Sequence, residues 1–189
     1  MSKSKSKLLE ILEENRAVLL KIDEGQIGRL VEMITKSKRL FLDGRGRSGL
    51  MMAAFAVRLT HLGIECHVVG EYTTPSLRED DLLIIGSGSG STITPLAAAK
   101  LAKKVGGSVA AITSRADSEL AKIADVAVII PAPVRGDRGD ECENVNTMQP
   151  MASLFEQSLL LLVDAIVLDL KEKFGTDDET MRSLHSNLE

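Results

Sequence analysis

Apolar residues at Leu8, Leu9, Ile11, Leu12, Val18, Leu19 and Ile22 recur at the spacing of helical faces. A second amphipathic stretch, carried by Ile27, Leu30, Val31 and Ile34, ends in Lys36, Lys38 and Arg39, cations that complement the negative end of a helix dipole. The pattern then changes. Short apolar runs with little polar alternation occupy Leu40–Asp43, Cys66–Val69, Leu82–Ile85, Ser108–Thr113 and Val126–Ile130, which reads as strands covered on both faces. Helix-patterned segments, Leu50–His61, Thr92–Val105 and Glu119–Ala124, fall between them, and only the connection over Glu71–Asp80 lacks one. After the fifth run a charged, Gly-containing loop from Pro131 to Pro150 leads into a long apolar helix over Met151 to Phe174, with the proline at a helix start where its missing N–H costs nothing.

Strand–helix alternation of this kind predicts an α/β fold with a parallel sheet, a three-layer αβα sandwich of five strands in the order 2-1-3-4-5. N-terminal helices over residues 1–38 pack on the α/β domain of residues 39–174, and residues 175–189 form a tail. The last helix is apolar on most sides, more than one small sheet can cover, so a subunit interface is expected on it.

In a sheet of this order ligands bind beyond the carboxyl ends of the strands, where the order reverses. Two Gly/Ser loops follow strands one and three, Asp43-Gly-Arg-Gly-Arg-Ser-Gly49 and Gly86-Ser-Gly-Ser-Gly-Ser-Thr92. Glycine lets a ligand approach the backbone, and the N–H groups at a helix start favour an anion. Two such loops on one crevice predict a phosphorylated small molecule gripped from both sides. The candidate binding residues are Gly46, Arg47 and Ser48 from the first loop and Ser87, Gly88, Ser89, Gly90, Ser91 and Thr92 from the second. The spacing Gly44, Gly46, Gly49 also fits a dinucleotide fingerprint, with Glu71 at the distance of a ribose contact. A dinucleotide site does not require the equally rich second loop, which favours the phosphosugar.

Composition narrows the classes. The chain of 189 residues carries a net charge of −4 and no Trp, one Tyr and four Phe, giving neither a general attraction to nucleic acid nor a base-stacking platform. Cys66 and Cys142 are spaced for neither a zinc knuckle nor a disulfide framework, so a reducing, cytoplasmic setting is expected. The basic start runs into acidic residues where a signal peptide needs an apolar core, and Asp164 and Asp169 interrupt the apolar run near residue 160, so no membrane span is expected.

The two loops, Gly44-x-Gly46-x-Ser48 and Ser87-x-Ser89-Gly90-x-Thr92, resemble those of the sugar isomerase (SIS) domain family. Gly70-Glu-Tyr-Thr-Thr-Pro75, Gln149-Pro-Met-Ala-Ser-Leu-Phe-Glu-Gln157 and His185-Ser-Asn-Leu-Glu189 extend the likeness to its hexulose phosphate isomerase branch. The resemblance implies a tetramer, no cofactor, and interconversion of D-arabino-3-hexulose 6-phosphate with fructose 6-phosphate. It implies that Ser48, Ser87, Ser89 and Thr92 hold the phosphosugar and that Glu156 is the base. Moving a carbonyl to the next carbon requires a base that lifts a carbon-bound proton and returns it to the neighbouring carbon, through an enediolate.

Glu71 is the alternative base, or a ligand of a sugar hydroxyl. His185, in the tail, is a second catalytic candidate, acting in a neighbouring subunit's site. His61 stands thirteen residues after Ser48, roughly 20 Å along one helix, and is expected to be a core or interface residue. His67 lies within strand two and is expected to be structural. Arg135, Asp137, Arg138, Asp140, Glu141 and Glu143 read as a solvated or ion-paired loop. Two other functions fit the loops: a phosphosugar sensor without chemistry, and an aldose–ketose isomerase on the same scaffold.

Overall fold

The computed structural model describes residues 3–134 and 147–188. Two helices, α1 (Lys3–Leu19) and α2 (Glu24–Lys36), precede the alternating region. There β1 (Leu40–Gly44), α3 (Gly46–His61), β2 (Cys66–Val68), β3 (Leu82–Gly86), α4 (Ile93–Lys104), β4 (Ser108–Thr113), α5 (Glu119–Ile123) and β5 (Val126–Ile129) follow in turn. The long α6 (Ser153–Phe174) and a short α7 (Asp178–Ser183) complete the chain. The five strands form one all-parallel sheet in the order β2-β1-β3-β4-β5, as the hydrophobic pattern predicts.

Side-chain alternation along the buried strands divides the core in two. Leu40, Leu42, Leu82, Ile84, Ala110 and Ile112 face α1, α2, α3 and α6, where Leu30, Met52, Phe55 and Phe155 complete the larger cluster. Phe41, Leu83, Ile85, Val109 and Ala111 face α4 and α5 and meet Ala99, Ala102 and Leu120. The small alanines of α4 let that helix lie close on the sheet. Between β2 and β3 the chain makes turns and extended segments but no helix, so β2 occupies an edge.

Element boundaries depart from the sequence pattern where backbone geometry outranks hydrophobicity. α3 begins at Gly46, four residues before the apolar stripe. Gly44 and Gly49 explain why the chain can turn so early: a Cβ on Gly49 would stand 2.7 Å from the carbonyl oxygen of Gly44, so the first turn of α3 sits almost on the end of β1. α6 begins at Ser153 rather than Met151, because Met151 takes a left-handed φ of 58° that an α-helix cannot hold. α7 has no buried residue to mark it as an amphipathic helix and is set by its cap, Asp177 accepting from the Thr180 N–H at 2.7 Å. On α6, Leu161 and Leu168 stay exposed in the single chain, the uncovered side that its pattern anticipates. The charged residues from Arg135 to Glu143, with Cys142, lie outside the described residues. Among the described residues no helix is long and apolar enough to cross a membrane.

Candidate active site

Parallel strands bring the starts of their following helices to one edge of the sheet. β1 delivers Arg45, Gly46 and Arg47 there, β3 delivers the Ser87–Thr92 loop, and the chain beyond β5 returns to the same edge as Pro150 to Ser153 before rising into α6. These segments enclose a cleft of about 600 Å³ lined by Arg45, Gly46, Arg47, Gly88, Ser89, Thr92, Val134, the 150–153 segment and Glu156. The size suits a small phosphorylated molecule.

The second loop is held from behind. Its Gly88 carbonyl accepts from the Ser114 N–H and the Thr113 hydroxyl, each at 3.0 Å, which ties the loop to the end of β4. Gly90 has a φ of 60°, and a Cβ there would stand 2.2 Å from the Ser118 hydroxyl. The turn therefore needs glycine for both conformation and space. The Ser87 and Thr92 hydroxyls lie 3.1 Å apart across the loop.

Arg45 is braced against the sheet. Its Nε donates to Thr94 at 2.9 Å, on the first turn of α4, and its Nη1 lies 3.3 Å from Asp43 Oδ1. Asp43 is buried, and its Oδ2 is the one fully buried side-chain polar atom without a partner among the described residues. Burial pushes the Asp43 carboxyl above its usual range, against the pull of Arg45 and the Gly44 N–H.

Glu156 stands in the first turn of α6, a turn earlier than a helix beginning at Met151 would put it. Its carboxylate, with 13% of the side chain exposed, meets Arg47 Nη1 at 2.9 Å. The same Arg47 nitrogen donates to the Ser153 hydroxyl at 2.8 Å. A carboxylate, two guanidinium groups and a Gly/Ser loop thus face one volume. Such a set can bind a phosphorylated polyol, move a proton at carbon and offset negative charge on oxygen.

Of the residues singled out from sequence, the cleft gathers Gly46, Arg47, Gly88, Ser89, Thr92 and Glu156. Ser48 is half-buried in the first turn of α3, and Ser87 is buried behind Thr92, so neither lines the cleft. Gly90 is a buried turn residue, Ser91 is exposed, and Glu71 is exposed on the loop after β2, outside the cleft. The third glycine of the dinucleotide-like spacing, Gly49, is spent on the contact between α3 and β1. His185 stacks on His61 at a centroid distance of 4.9 Å, at the far end of α3 from the cleft of its own chain. His61 is buried, and the His67 ring meets Phe41 in a tilted contact at a centroid distance of 5.3 Å within the sheet. Val134 lines the cleft with no local sequence motif, and Met151 and Ser153 lie inside the Gln149–Gln157 stretch without having been marked as site residues; the close packing of α6 on α3 brings Ser153 to Arg47. Among the described residues no group of three or more His, Cys, Asp or Glu stands ready to hold a metal ion.

Comparison with known proteins agrees with this architecture. The SIS domain family matches residues 33–164. A 3-hexulose-6-phosphate isomerase of Bacillus subtilis is 44% identical over 180 residues, covering 95% of this chain and 96% of that protein. A 3-hexulose-6-phosphate isomerase of Mycobacterium gastri is 40% identical over 169 residues, covering 89% of this chain and 83% of its own length. A crystal structure from Methanococcus jannaschii, for which a function of 3-hexulose-6-phosphate isomerase was inferred, superposes with a TM-score of 0.82 at 32% identity, covering 97% of this chain and 99% of that one. The fold, the glycine loops and these relatives together lead to one conclusion: the chain belongs to the SIS domain family and, within it, to the family of the 3-hexulose-6-phosphate isomerases.

Proposed function

We propose that this protein is a phosphosugar isomerase that interconverts D-arabino-3-hexulose 6-phosphate and fructose 6-phosphate. The reading rests on one observation above the others: the Glu156 carboxylate enters the cleft that the two glycine loops form, with Arg47 at 2.9 Å. The identity to the named relatives supports the choice of substrate.

In this mechanism Arg45, Arg47 and the Ser89–Thr92 turn hold the phosphate and so fix the carbon chain. Glu156 takes the proton from C2 of the 3-ketose. The C2–H electron pair becomes the C2–C3 double bond, and the former carbonyl oxygen at C3 takes up the negative charge. The proton on O2 passes to O3, so that the charge moves to O2, and the protonated Glu156 returns its proton to C3 as the O2 electron pair closes the carbonyl at C2. Arg47 lies where it can move between its carboxylate partner and the developing enediolate charge, since 54% of its side chain is exposed. Oxidation at C2 is balanced by reduction at C3 of the same molecule, so the chemistry proposed needs no external oxidant or reductant and no cofactor. The exposed leucines of α1 and α6 support assembly into a homo-oligomer, a tetramer in the reading from family resemblance, and place no demand on nucleic acid or membrane as a partner.

The test is proton NMR of fructose 6-phosphate in D2O with wild type and with Glu156→Gln. Loss of the C3 proton signal and growth of a 3-ketose in the wild type, both abolished in the variant, is the expected result. Exchange at C1 instead would assign an aldose–ketose isomerase. Binding without exchange at either carbon would replace the enzyme with a sensor.

A further inference from the structure

The segment 147–152 contains no regular helix or strand, and its residues Pro150, Met151 and Ala152 form part of one wall of the cleft. It also holds Met151 in a left-handed conformation, which a non-glycine residue adopts only when its surroundings impose it. The residues just before Met151 are tied to the N-terminal helix. Glu14, on α1, accepts from the Thr147 hydroxyl at 2.6 Å, the Met148 N–H at 2.8 Å and the Gln149 side-chain amide at 2.9 Å. Three donors for one carboxylate is a built anchor. Burial works to raise the Glu14 carboxyl, but these three bonds together outweigh it and hold the group below its usual range.

The anchor closes into a circuit that reaches the turn carrying Glu156. Gln149 is buried, and its amide oxygen accepts from Gln157 at 2.7 Å. The Gln157 oxygen accepts from Asn15 at 2.9 Å, and the Asn15 oxygen accepts from Ser158 at 3.1 Å. Asn15 and Ser158 are both buried. Glu14 and Asn15 thus grip, from one turn of α1, both ends of the stretch from Gln149 to Ser158. Pro150, Met151, Ala152, Ser153 and Glu156 line the cleft from inside that stretch. The glycine loops after β1 and β3 are not part of this circuit.

We infer that Glu14 is a positioning residue for the reaction: through Gln149 and Gln157 it sets the wall at residues 150–153 and the placement of the Glu156 carboxylate, while leaving the Ser89–Thr92 turn alone. The inference rests on Glu156 being the proton carrier. It also gives a physical reason for the two glutamines that bracket the Gln149–Gln157 motif, which are hydrogen-bonded to each other rather than to anything in the cleft.

The experiment compares wild type, Glu14→Gln and the exchanged pair Glu14→Gln with Gln149→Glu. The single change puts two amide donors face to face and breaks the circuit; the exchange restores a donor opposite a carboxylate. Amide hydrogen exchange across residues 147–157 and steady-state kinetics with fructose 6-phosphate are measured on each, with Tm as a control. The expected result is faster exchange in that segment and a kcat lower by about 10- to 100-fold in Glu14→Gln, as for a misplaced reacting group. KM should stay within about threefold, as expected when the Ser89–Thr92 turn is untouched, and both exchange and kcat should recover in the exchanged pair. Thr147→Val, which removes one of the three bonds, should fall between. Unchanged exchange in Glu14→Gln overturns the anchor whatever the activity. Faster exchange with kcat intact, or a loss that tracks Tm alone and is not rescued, overturns the positioning role. A wild type that leaves fructose 6-phosphate unexchanged overturns the functional reading instead, and the exchange data still decide the anchor.

Discussion

Arg47 Nη1 lies 2.9 Å from Glu156 Oε2 and 2.8 Å from Ser153 Oγ, so a cation from the loop after β1 grips the first turn of α6. The Arg47 side chain is half open to solvent, and the Coulomb attraction alone is worth little. Its value lies in geometry: the guanidinium fixes the carboxylate in the ground state and is available to negative charge on the substrate. Arg47→Ala is therefore expected to lower kcat and also to raise KM, by roughly three- to tenfold, through loss of a phosphate contact. Glu156→Gln is expected to lose turnover with phosphosugar affinity kept within a few-fold. Steady-state kinetics with isothermal titration of fructose 6-phosphate separates the two patterns.

Gly90 supplies a second prediction. An alanine there must adopt a φ of 60° and place its Cβ 2.2 Å from the Ser118 hydroxyl. The backbone penalty alone is about 1–2 kcal/mol, and the clash adds to it. Gly90→Ala should lower Tm by roughly 4 °C or more, as expected for about 2 kcal/mol in a chain of this size. It should also weaken phosphosugar binding, since Ser89 and Thr92 lie on either side. Differential scanning calorimetry and titration of the same sample check both.

Acid stability depends on Asp81, which accepts from Arg39 at 2.6 and 3.0 Å and from the Arg78 N–H at 2.7 Å. Burial alone would raise this carboxyl; the bonds and the two nearby arginines win and hold it below its usual range. A group whose folded pKa is lowered binds protons more readily when unfolded, so stability rises with pH through the window between the two values. The Asp81 contribution should be complete above about pH 5 and disappear as the pH falls below 4, where the unfolded carboxyl titrates. Asp81→Asn should be less stable than wild type at pH 7, and its Tm should fall less steeply between pH 5 and pH 2.5, measured by circular dichroism.

The apolar surface gives a prediction about assembly. Leu12 on α1 is 61% exposed and Leu161 on α6 is 45% exposed, in a groove the two helices share. Leu12→Glu combined with Leu161→Glu should shift the mass seen by sedimentation equilibrium toward the single chain. An unchanged mass would remove this groove from the interface.

The sheet was legible in the sequence because its strands are buried on both faces and announce themselves as apolar runs; even the edge strand at Cys66 and the missing helix at Glu71–Asp80 could be placed. Glu156 and the two loops were legible as motifs. What could not be seen is long-range. Whether a serine of the loop faces the cleft or the sheet depends on how β4 holds Gly88, and Ser48 and Ser87 turn out to be behind the surface rather than on it. Ser153 reaches Arg47 across a sequence separation of 106, and Glu14 reaches Gln149 across 135. No local pattern reports such pairs. The start of α6 was misplaced for the opposite reason, a local backbone conformation at Met151 that its side chain does not advertise.

The packing of α6 on α3 has a consequence for the order in which the molecule becomes active. The strands and the glycine loops are complete by residue 129, yet the carboxylate assigned to proton transfer arrives on the helix that begins at Ser153 and docks on α3. During synthesis the glycine loops are made before α6, and a chain at that stage lacks both the base and the Phe155 and Leu159 side chains that stand behind Gly88 and Gly86. In refolding from denaturant, contacts of such large sequence separation close late. Phosphosugar affinity and turnover should then recover together, both waiting on the arrival of the last long helix.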